Sequence, residues 1–169
     1  TDTRFSFYFP PSGQYGDRFF HVVEGGMGGN ENSALAISAP GVVPVSSIRP
    51  CFEMGGYLVE SNQGHIGADL SGAKCDPSII NYRASAAAAK FGKYLAGLIY
   101  GREPLHGYIF GGSGGGVRSL LSLENTSGIW QGGVPFVMPH QSQGVFFSIQ
   151  ANAIRLLGQE NIARIADAV

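Results

Sequence analysis

Short apolar segments, each followed by glycine, proline or a polar loop, recur along the chain. The first, at residues 4–9, alternates Phe5, Phe7 and Phe9 with polar neighbours and ends at two prolines, a pattern typical of a half-buried strand that stops at a turn. Further apolar runs of strand length lie at residues 19–23, 57–60, 106–110 and 133–138. The pattern therefore predicts a series of short strands.

Between the predicted strands, apolar residues recur at intervals of three and four, the spacing of one helix face. The clearest case is residues 80–100, followed by Gly101, a residue suited to the C′ position just after a helix. A second helix is predicted at residues 114–123 and a helical tail from residue 146 onward. Alternating strands and helices indicate an α/β fold, a mainly parallel sheet with helices on both faces. The spacing in the long helix rests on Ala84, Ala87, Ala88, Phe91, Leu95, Leu98 and Ile99.

Composition narrows the classes of partner. The chain has 11 Lys and Arg against 12 Asp and Glu, a net charge of -1, so it has no excess of positive charge to bind nucleic acid or an anionic lipid surface. Its apolar stretches are interrupted well before the roughly 18–20 residues that a membrane span needs. We therefore expect neither a nucleic-acid nor a membrane partner.

Cysteine and histidine give no sign of a metal or cofactor. Cys51 and Cys75 are too few for a disulfide framework and lack the spacing of a CxxC site. A disulfide between them and two buried thiols both remain open. The 4 histidines show no HExxH or similar spacing. We predict no metal site and no cofactor.

The strongest chemical signal is Gly-Gly-Ser-Gly-Gly at residues 111–115, which fits the G-x-S-x-G nucleophile elbow. It lies directly after the predicted strand HGYIF and before the predicted helix VRSLLSL. Such a sharp turn needs small residues two positions before and after the serine, and Gly111 and Gly115 meet that need. Ser113 is the predicted nucleophile, and the N–H of Gly114, at the helix N-terminus, is a predicted oxyanion donor.

The alternative is a phosphate-binding or purely structural glycine turn. Starting from Gly112, the sixth position of a G-x-G-x-x-G fingerprint is Val117, and no GK[ST] of a P-loop is present. A dinucleotide fingerprint also belongs after the first strand of its unit. These observations favour the nucleophile over the phosphate loop and leave a structural turn as the main alternative.

A second glycine-rich loop, VEGGMGGNE at residues 23–31, also follows an apolar strand. Serine hydrolases with this arrangement take a second oxyanion donor from the loop after an earlier strand. The candidate backbone donors are Gly25, Gly26 and Met27.

A polar loop with Glu60, Asn62 and His65 follows the predicted strand at residues 57–60. Because loops at the carboxyl ends of parallel strands face the active-site crevice of an α/β fold, we expect these residues to line a pocket. A role of His65 as general base is an alternative. His140, after the strand at residues 133–138, is expected at the same edge.

These motifs, in this order, resemble the α/β-hydrolase serine esterases of the tannase and feruloyl esterase type. The matching segments are GGMGG, GGYLVESNQGHIG, the alanine-rich helix and FGGSGGGVRSLLSLENTSGIWQGGVPFV. The resemblance covers about residues 19–140 and is most specific around Ser113. It implies an α/β-hydrolase fold, with the N-terminal part of the core at residues 1–140 and the beginning of a helical lid at 141–169. Members typically carry a cysteine where this chain has Gly112, and this departure leaves the acyl and leaving groups open.

The resemblance also implies where the rest of a catalytic triad lies. In this fold the acid and the histidine follow the serine, after later strands. The helical spacing of Ile162, Ile165 and Val169 continues to the last residue. We expect the triad acid and histidine outside this chain, on a second polypeptide that carries the rest of the fold.

The sequence thus predicts a serine hydrolase that cleaves a small-molecule carboxylic ester through an acyl-enzyme on Ser113. Cleavage of an amide or a carbon-carbon bond by the same apparatus is one alternative, and a catalytically inactive binding module of the hydrolase fold is another. Low charge and few thiols favour a secreted or periplasmic location over a cytoplasmic one.

Overall fold

The computed structural model describes residues 3–32, 47–67 and 76–138, together with Asn161 and Arg164, which are both helical. The chain divides into two compact units, Thr1–Met138 and Pro139–Val169. The predicted lid at residues 141–169, and the helical tail within it, lie almost wholly outside the described residues and stay predictions. The described strands are β1 (Phe5–Tyr8), β2 (Arg18–Val23), β3 (Gly56–Ser61), β4 (His106–Gly112) and β5 (Gly132–Phe136).

Each predicted strand is present, and together they form a 5-stranded sheet in the order β1-β3-β2-β4-β5. The pairs β2/β3, β2/β4 and β4/β5 are parallel, which confirms the prediction of a mainly parallel sheet. β1 pairs with β3 antiparallel, with Phe7 opposite Val59. The sheet is therefore mixed, because its first strand runs against the other four.

The main helices lie between the strands as predicted. They are α2 (Ala84–Tyr100) and α3 (Gly114–Asn125), and α2 is preceded by a π-helical turn at Ile79–Arg83. α2 ends at Gly101, whose φ of 73° is left-handed, the conformation that glycine adopts without steric cost. A short helix without a counterpart in the sequence prediction, α1 (Ile48–Glu53), precedes β3, and a 3₁₀ turn occupies Ser12–Gln14.

The sheet has helices on both faces, but they cover the two faces unequally. On one face α2 and α3 pack over a core that includes Phe19, Tyr57 and Ile109. On the other face α1, which has 6 residues, packs Cys51 against Leu58, and the described residues leave an apolar groove open beside it. Among the described helices, none is long and apolar enough to cross a membrane.

The strand order brings three loops to one edge of the sheet. β2 lies between β3 and β4 and is parallel to both. The loops that follow these strands therefore leave the sheet side by side, at the edge where open α/β sheets bind ligands. The loop after β2 holds the glycine-rich run that follows Val23, and the loop after β3 holds the polar residues that follow Ser61. The turn after β4 is the Gly-Gly-Ser-Gly-Gly segment.

Candidate active site

Ser113 occupies the single-residue turn between β4 and α3. Its φ of 55° and ψ of -122° fall in a region that non-glycine residues rarely adopt, at a cost on the order of 1–3 kcal/mol. Its N–H donates to the carbonyl of Phe136 on β5 at 3.1 Å, and its carbonyl accepts from Val117 in the first turn of α3 at 3.2 Å. The backbone of Ser113 is thus fixed from both sides, while its side chain is exposed.

The glycines on either side of Ser113 are required by close backbone contacts. A Cβ on Gly111 would lie 2.7 Å from the carbonyl oxygen of Gly115. A Cβ on Gly115 would lie 2.2 Å from the carbonyl oxygen of Val23. Because these neighbours are backbone atoms, no rotamer change can relieve the clash. The steric demand predicted for an elbow is therefore present at both positions.

The GGMGG loop, residues 25–29, packs directly against this turn. A Cβ on Gly25 would lie 3.2 Å from the Gly112 carbonyl oxygen and 4.0 Å from Cβ of Ser113. A Cβ on Gly114 would lie 2.2 Å from the carbonyl oxygen of Gly26. The structure therefore brings together Ser113, Gly114 and the predicted oxyanion loop.

Two side chains from other elements bind carbonyls of the GGMGG loop and of the residue before it. The Nη2 atom of Arg118, on α3, donates to the Glu24 carbonyl at 2.7 Å and to the Gly26 carbonyl at 3.1 Å. Nε2 of His65 lies 3.0 Å from the Met27 carbonyl. Sequence reasoning missed Arg118, although a single charged residue in the otherwise uncharged stretch after the elbow was a usable signal.

The polar loop after β3 is buried. Asn62 and His65 are 0% and 1% exposed. Oδ1 of Asn62 accepts from the backbone N–H groups of Arg4 and Gly64, both at 3.0 Å. Nδ1 of His65 lies 2.9 Å from the Gly67 carbonyl, so that both ring nitrogens of His65 face carbonyl oxygens. These contacts organise the loop, and the predicted role of its side chains in lining a pocket stays a prediction.

Glu60 is also buried, at the end of β3. The hydroxyl of Tyr8 donates to its carboxylate at 3.2 Å. Burial, and then the charge and hydrogen bond of Glu60, raise the pKa of Tyr8. His140, the remaining predicted pocket residue, lies outside the described residues.

An apolar groove of about 700 Å³ lies on the less covered face of the sheet. Its lining does not include Ser113 or the GGMGG loop, so we do not assign it to the candidate site. The groove is lined mainly by Phe20, Cys51, Met54, Tyr108, Phe110, Val134 and Phe136.

The described residues contain no group of three or more His, Cys, Asp or Glu side chains that could hold a metal ion. Cys51 is a buried free thiol, and burial raises its pKa to about 12. Cys75, its possible disulfide partner in the sequence analysis, lies outside the described residues.

The fold is similar to that of part of a known hydrolase. The structure of tannin acyl hydrolase from Aspergillus niger matches with a TM-score of 0.56 and 19% identity, over 78% of this chain and 24% of that chain. The structure of feruloyl esterase B from Aspergillus oryzae matches with a TM-score of 0.45 and 24% identity, over 61% of this chain and 19% of that chain. This chain thus spans about a quarter or less of the length of these proteins. The sequence itself matches no known family profile and no curated protein.

Proposed function

We propose that this chain provides the nucleophile and the oxyanion donors of a serine hydrolase that cleaves a carboxylic ester. The observation that carries the proposal is the strained backbone of Ser113, at φ 55° and ψ -122°, between a parallel strand and a helix. This is the geometry that a nucleophile elbow demands, and it presents the serine side chain at the carboxyl edge of the sheet. The fold shared with part of a tannin acyl hydrolase supports the same class of reaction.

In the proposed reaction, Oγ of Ser113 forms a bond to the ester carbonyl carbon while its proton passes to a histidine. The tetrahedral intermediate then breaks its bond to the alcohol, which leaves with that proton. Water attacks the acyl-enzyme in the same manner, releases the acid and restores Ser113. Both tetrahedral intermediates carry a negative oxygen that must be stabilised.

The N–H of Gly114 and one or more N–H groups of Gly25, Gly26 and Met27 are proposed to stabilise that oxygen. Gly114 is the first residue of α3, where the helix dipole favours negative charge. The contact between the Gly26 carbonyl and Gly114, and that between Gly25 and the Ser113 turn, support a joint site, because they bring the GGMGG loop and the start of α3 together beside Ser113.

The histidine and the carboxylate of the triad are proposed to come from a second polypeptide that carries the rest of the fold. In the described part of the chain, His65 has both ring nitrogens against carbonyl oxygens, and His21 is 0% exposed within the core. Neither has a hydrogen bond to Ser113 among the described residues, and the third described histidine, His106, begins β4 at the end away from Ser113. The tannin acyl hydrolase of similar fold, of which this chain covers 24%, is long enough to hold such residues outside the matching part.

The test uses this chain together with the polypeptide that is proposed to carry the rest of the fold. A fluorophosphonate probe should label Ser113, and Ser113→Ala should lower kcat for an activated ester by about 10⁴-fold or more, as loss of a triad nucleophile does. The control is Ser127→Ala, at an exposed loop position, which should leave kcat unchanged. Undiminished hydrolysis in Ser113→Ala would overturn the proposal. Specific binding of an ester without turnover in the wild type would instead favour an inactive binding module.

A further inference from the structure

We propose that Arg118 is a positioning residue that orients the peptide groups of the GGMGG loop toward the oxyanion. The inference rests on the proposed function, because it concerns the same reaction. Arg118 is on the second turn of α3, follows the elbow by one helical turn and is 7% exposed.

The guanidinium of Arg118 binds two carbonyls and lies beside the one between them. Its Nη2 atom donates at 2.7 Å to Glu24 and at 3.1 Å to Gly26, and it lies 3.5 Å from the Gly25 carbonyl. The Gly25 carbonyl accepts from the N–H of Gly28 at 3.1 Å. In a trans peptide the carbonyl and the N–H of the next residue point in opposite directions, and the described chain has no cis peptide bond. A carbonyl that is turned toward Arg118 therefore turns the following N–H away from it.

The N–H groups that follow these carbonyls belong to Gly25, Gly26 and Met27, the predicted oxyanion donors. In the described part of the chain, none of the three donates a hydrogen bond to a backbone carbonyl. Their orientation is thus imposed through the carbonyl side of each peptide, and the N–H side is left for a ligand.

Charge adds to this orientation. Arg118 forms none of the salt bridges among the described residues, and its Nε has no partner there. Burial lowers the pKa of Arg118, and the negative charge of Glu24 partly offsets this effect. A cation on the carbonyl oxygen also polarises the peptide group, which strengthens its N–H as a donor. Arg118 therefore improves both the direction and the strength of the loop donors.

The far end of the loop is held independently. His65 binds the Met27 carbonyl at 3.0 Å, and the N–H of Gly67 donates to the Gly29 carbonyl at 2.9 Å. Removal of Arg118 should therefore leave the loop attached, because the N–H of Gly28 still binds the Gly25 carbonyl, but it should free the peptides that contain the Glu24 and Gly26 carbonyls. Nη2 of Arg118 also lies 3.3 Å from the position of a Cβ on Gly114, so the guanidinium is next to both sets of proposed donors.

The test compares Arg118→Met and Arg118→Lys with the wild type in the complete protein. Removal of an oxyanion donor typically lowers kcat by about 10²–10³-fold, and we expect Arg118→Met to lower kcat by a factor in this range. KM should change less than about threefold, because the oxyanion does not exist in the ground-state complex. Arg118→Lys should recover part of the lost kcat, because one ammonium keeps the charge but cannot reproduce the guanidinium contacts.

The matched control is Ser122→Ala, at a buried position further along α3 whose hydroxyl has no hydrogen-bond partner among the described residues, and it should keep the wild-type kcat. If Arg118→Met does not fold, as judged by circular dichroism and thermal unfolding, Arg118→Lys decides. A folded variant with wild-type kcat, or one whose loss is entirely in KM, overturns the inference. Ser113→Ala assayed in parallel separates the two failures, because activity in that variant overturns the proposed function itself.

Discussion

Ser113 keeps its strained conformation because its surroundings leave no other one. Its N–H and carbonyl are both bonded to neighbouring elements, and the glycines at positions 111 and 115 allow the strand and the helix to meet without a side chain between them. Strain on the order of 1–3 kcal/mol is small compared with the free energy that burial of the core residues contributes to folding. It persists because the surrounding sheet and helix determine the turn.

His21 is a polar residue that, unlike the exposed Ser113, lies entirely within the core. It is 0% exposed on β2, its ring meets Trp130 edge-on at 5.6 Å between centroids, and neither ring nitrogen has a partner in the described part of the chain. Burial lowers its pKa from 6.5 to about 3. The neutral imidazole is therefore the form that the folded protein accepts.

This burial predicts a pH-dependent stability. The folded-state pKa is below the unfolded one, so the unfolded chain binds the extra proton between pH 6.5 and about 3. The contribution is complete above pH 6.5 and is lost as the pH falls, by about 1.4 kcal/mol per pH unit. As the pH falls, the free energy of unfolding of His21→Phe should decrease less steeply than that of the wild type, by about 1.4 kcal/mol per pH unit. Denaturant unfolding of both proteins at a series of pH values is the measurement. Equal slopes in variant and wild type would mean that His21 is protonated, or partnered, in the folded state.

At the scale of elements, α2 shows how a helix can approach a sheet closely. Its buried side consists of small residues, including Ala88, Gly92 and Ala96. A Cβ on Gly92 would lie 3.0 Å from Cε1 of Phe7 and 3.2 Å from Cγ2 of Val59. The aromatic rings of the sheet thus fill the space that helix side chains would otherwise occupy.

The sequence pattern predicted this helix, and the small members Ala84 and Ala88 of its apolar stripe are buried, but its larger members are not. Phe91, Leu98 and Ile99 belong to the predicted apolar stripe, and they are 46%, 65% and 49% exposed. Periodicity weighs large apolar residues more heavily than alanine and glycine, whereas close packing on aromatic strands selects the small ones. Which residues of α2 are buried depends on the size of the sheet side chains that face the helix, and the sequence of the helix alone does not give that size.

Local signals explain what else could be predicted. Strands, the α2 terminus at Gly101 and the Ser113 turn each depend on adjacent residues, and the structure has all of them. The antiparallel direction of β1 and the contact of Arg118 with the loop after β2 depend on residues that are far apart in sequence. Such pairings are set by tertiary packing, so the pattern of a single segment does not reveal them.

Alanine in place of Gly97, within α2, and in place of Gly101, just after α2, should change the free energy of unfolding in opposite directions. Gly101→Ala places a Cβ on a left-handed residue, with φ 73°, and should lower the free energy of unfolding by about 1 kcal/mol. Gly97→Ala lies within the helix, where the nearest atom to its Cβ would be Cγ of Glu103 at 3.6 Å, and should raise it by about 0.5–1 kcal/mol. Denaturant unfolding of both variants is the measurement. The same sign of change in both would contradict the assigned helix end.

At the scale of the whole molecule, the part of the chain that the structure describes leaves apolar surface of the sheet exposed. β5 is at the end of the strand order and pairs only with β4 in the described residues. Its residues Val134 and Phe136 are 63% and 49% exposed and line the groove beside α1. An unpaired edge next to an apolar face is a typical surface for association with another chain, and the proposed second polypeptide would pair there.

The 169-residue chain by itself should therefore associate with itself through this surface. Val134→Lys places a charge on the uncovered face and should raise the apparent dissociation constant at least about tenfold, equivalent to about 1.4 kcal/mol. Ser127→Lys, with the same charge at an exposed position outside the groove, is the control and should leave it unchanged. Sedimentation velocity over a range of concentrations measures both. A second polypeptide that pairs with β5 should suppress the self-association of the wild type when it is added. A wild-type chain that is monomeric at every concentration, or an equal effect of the two lysines, would show that β5 and the groove do not form an association surface.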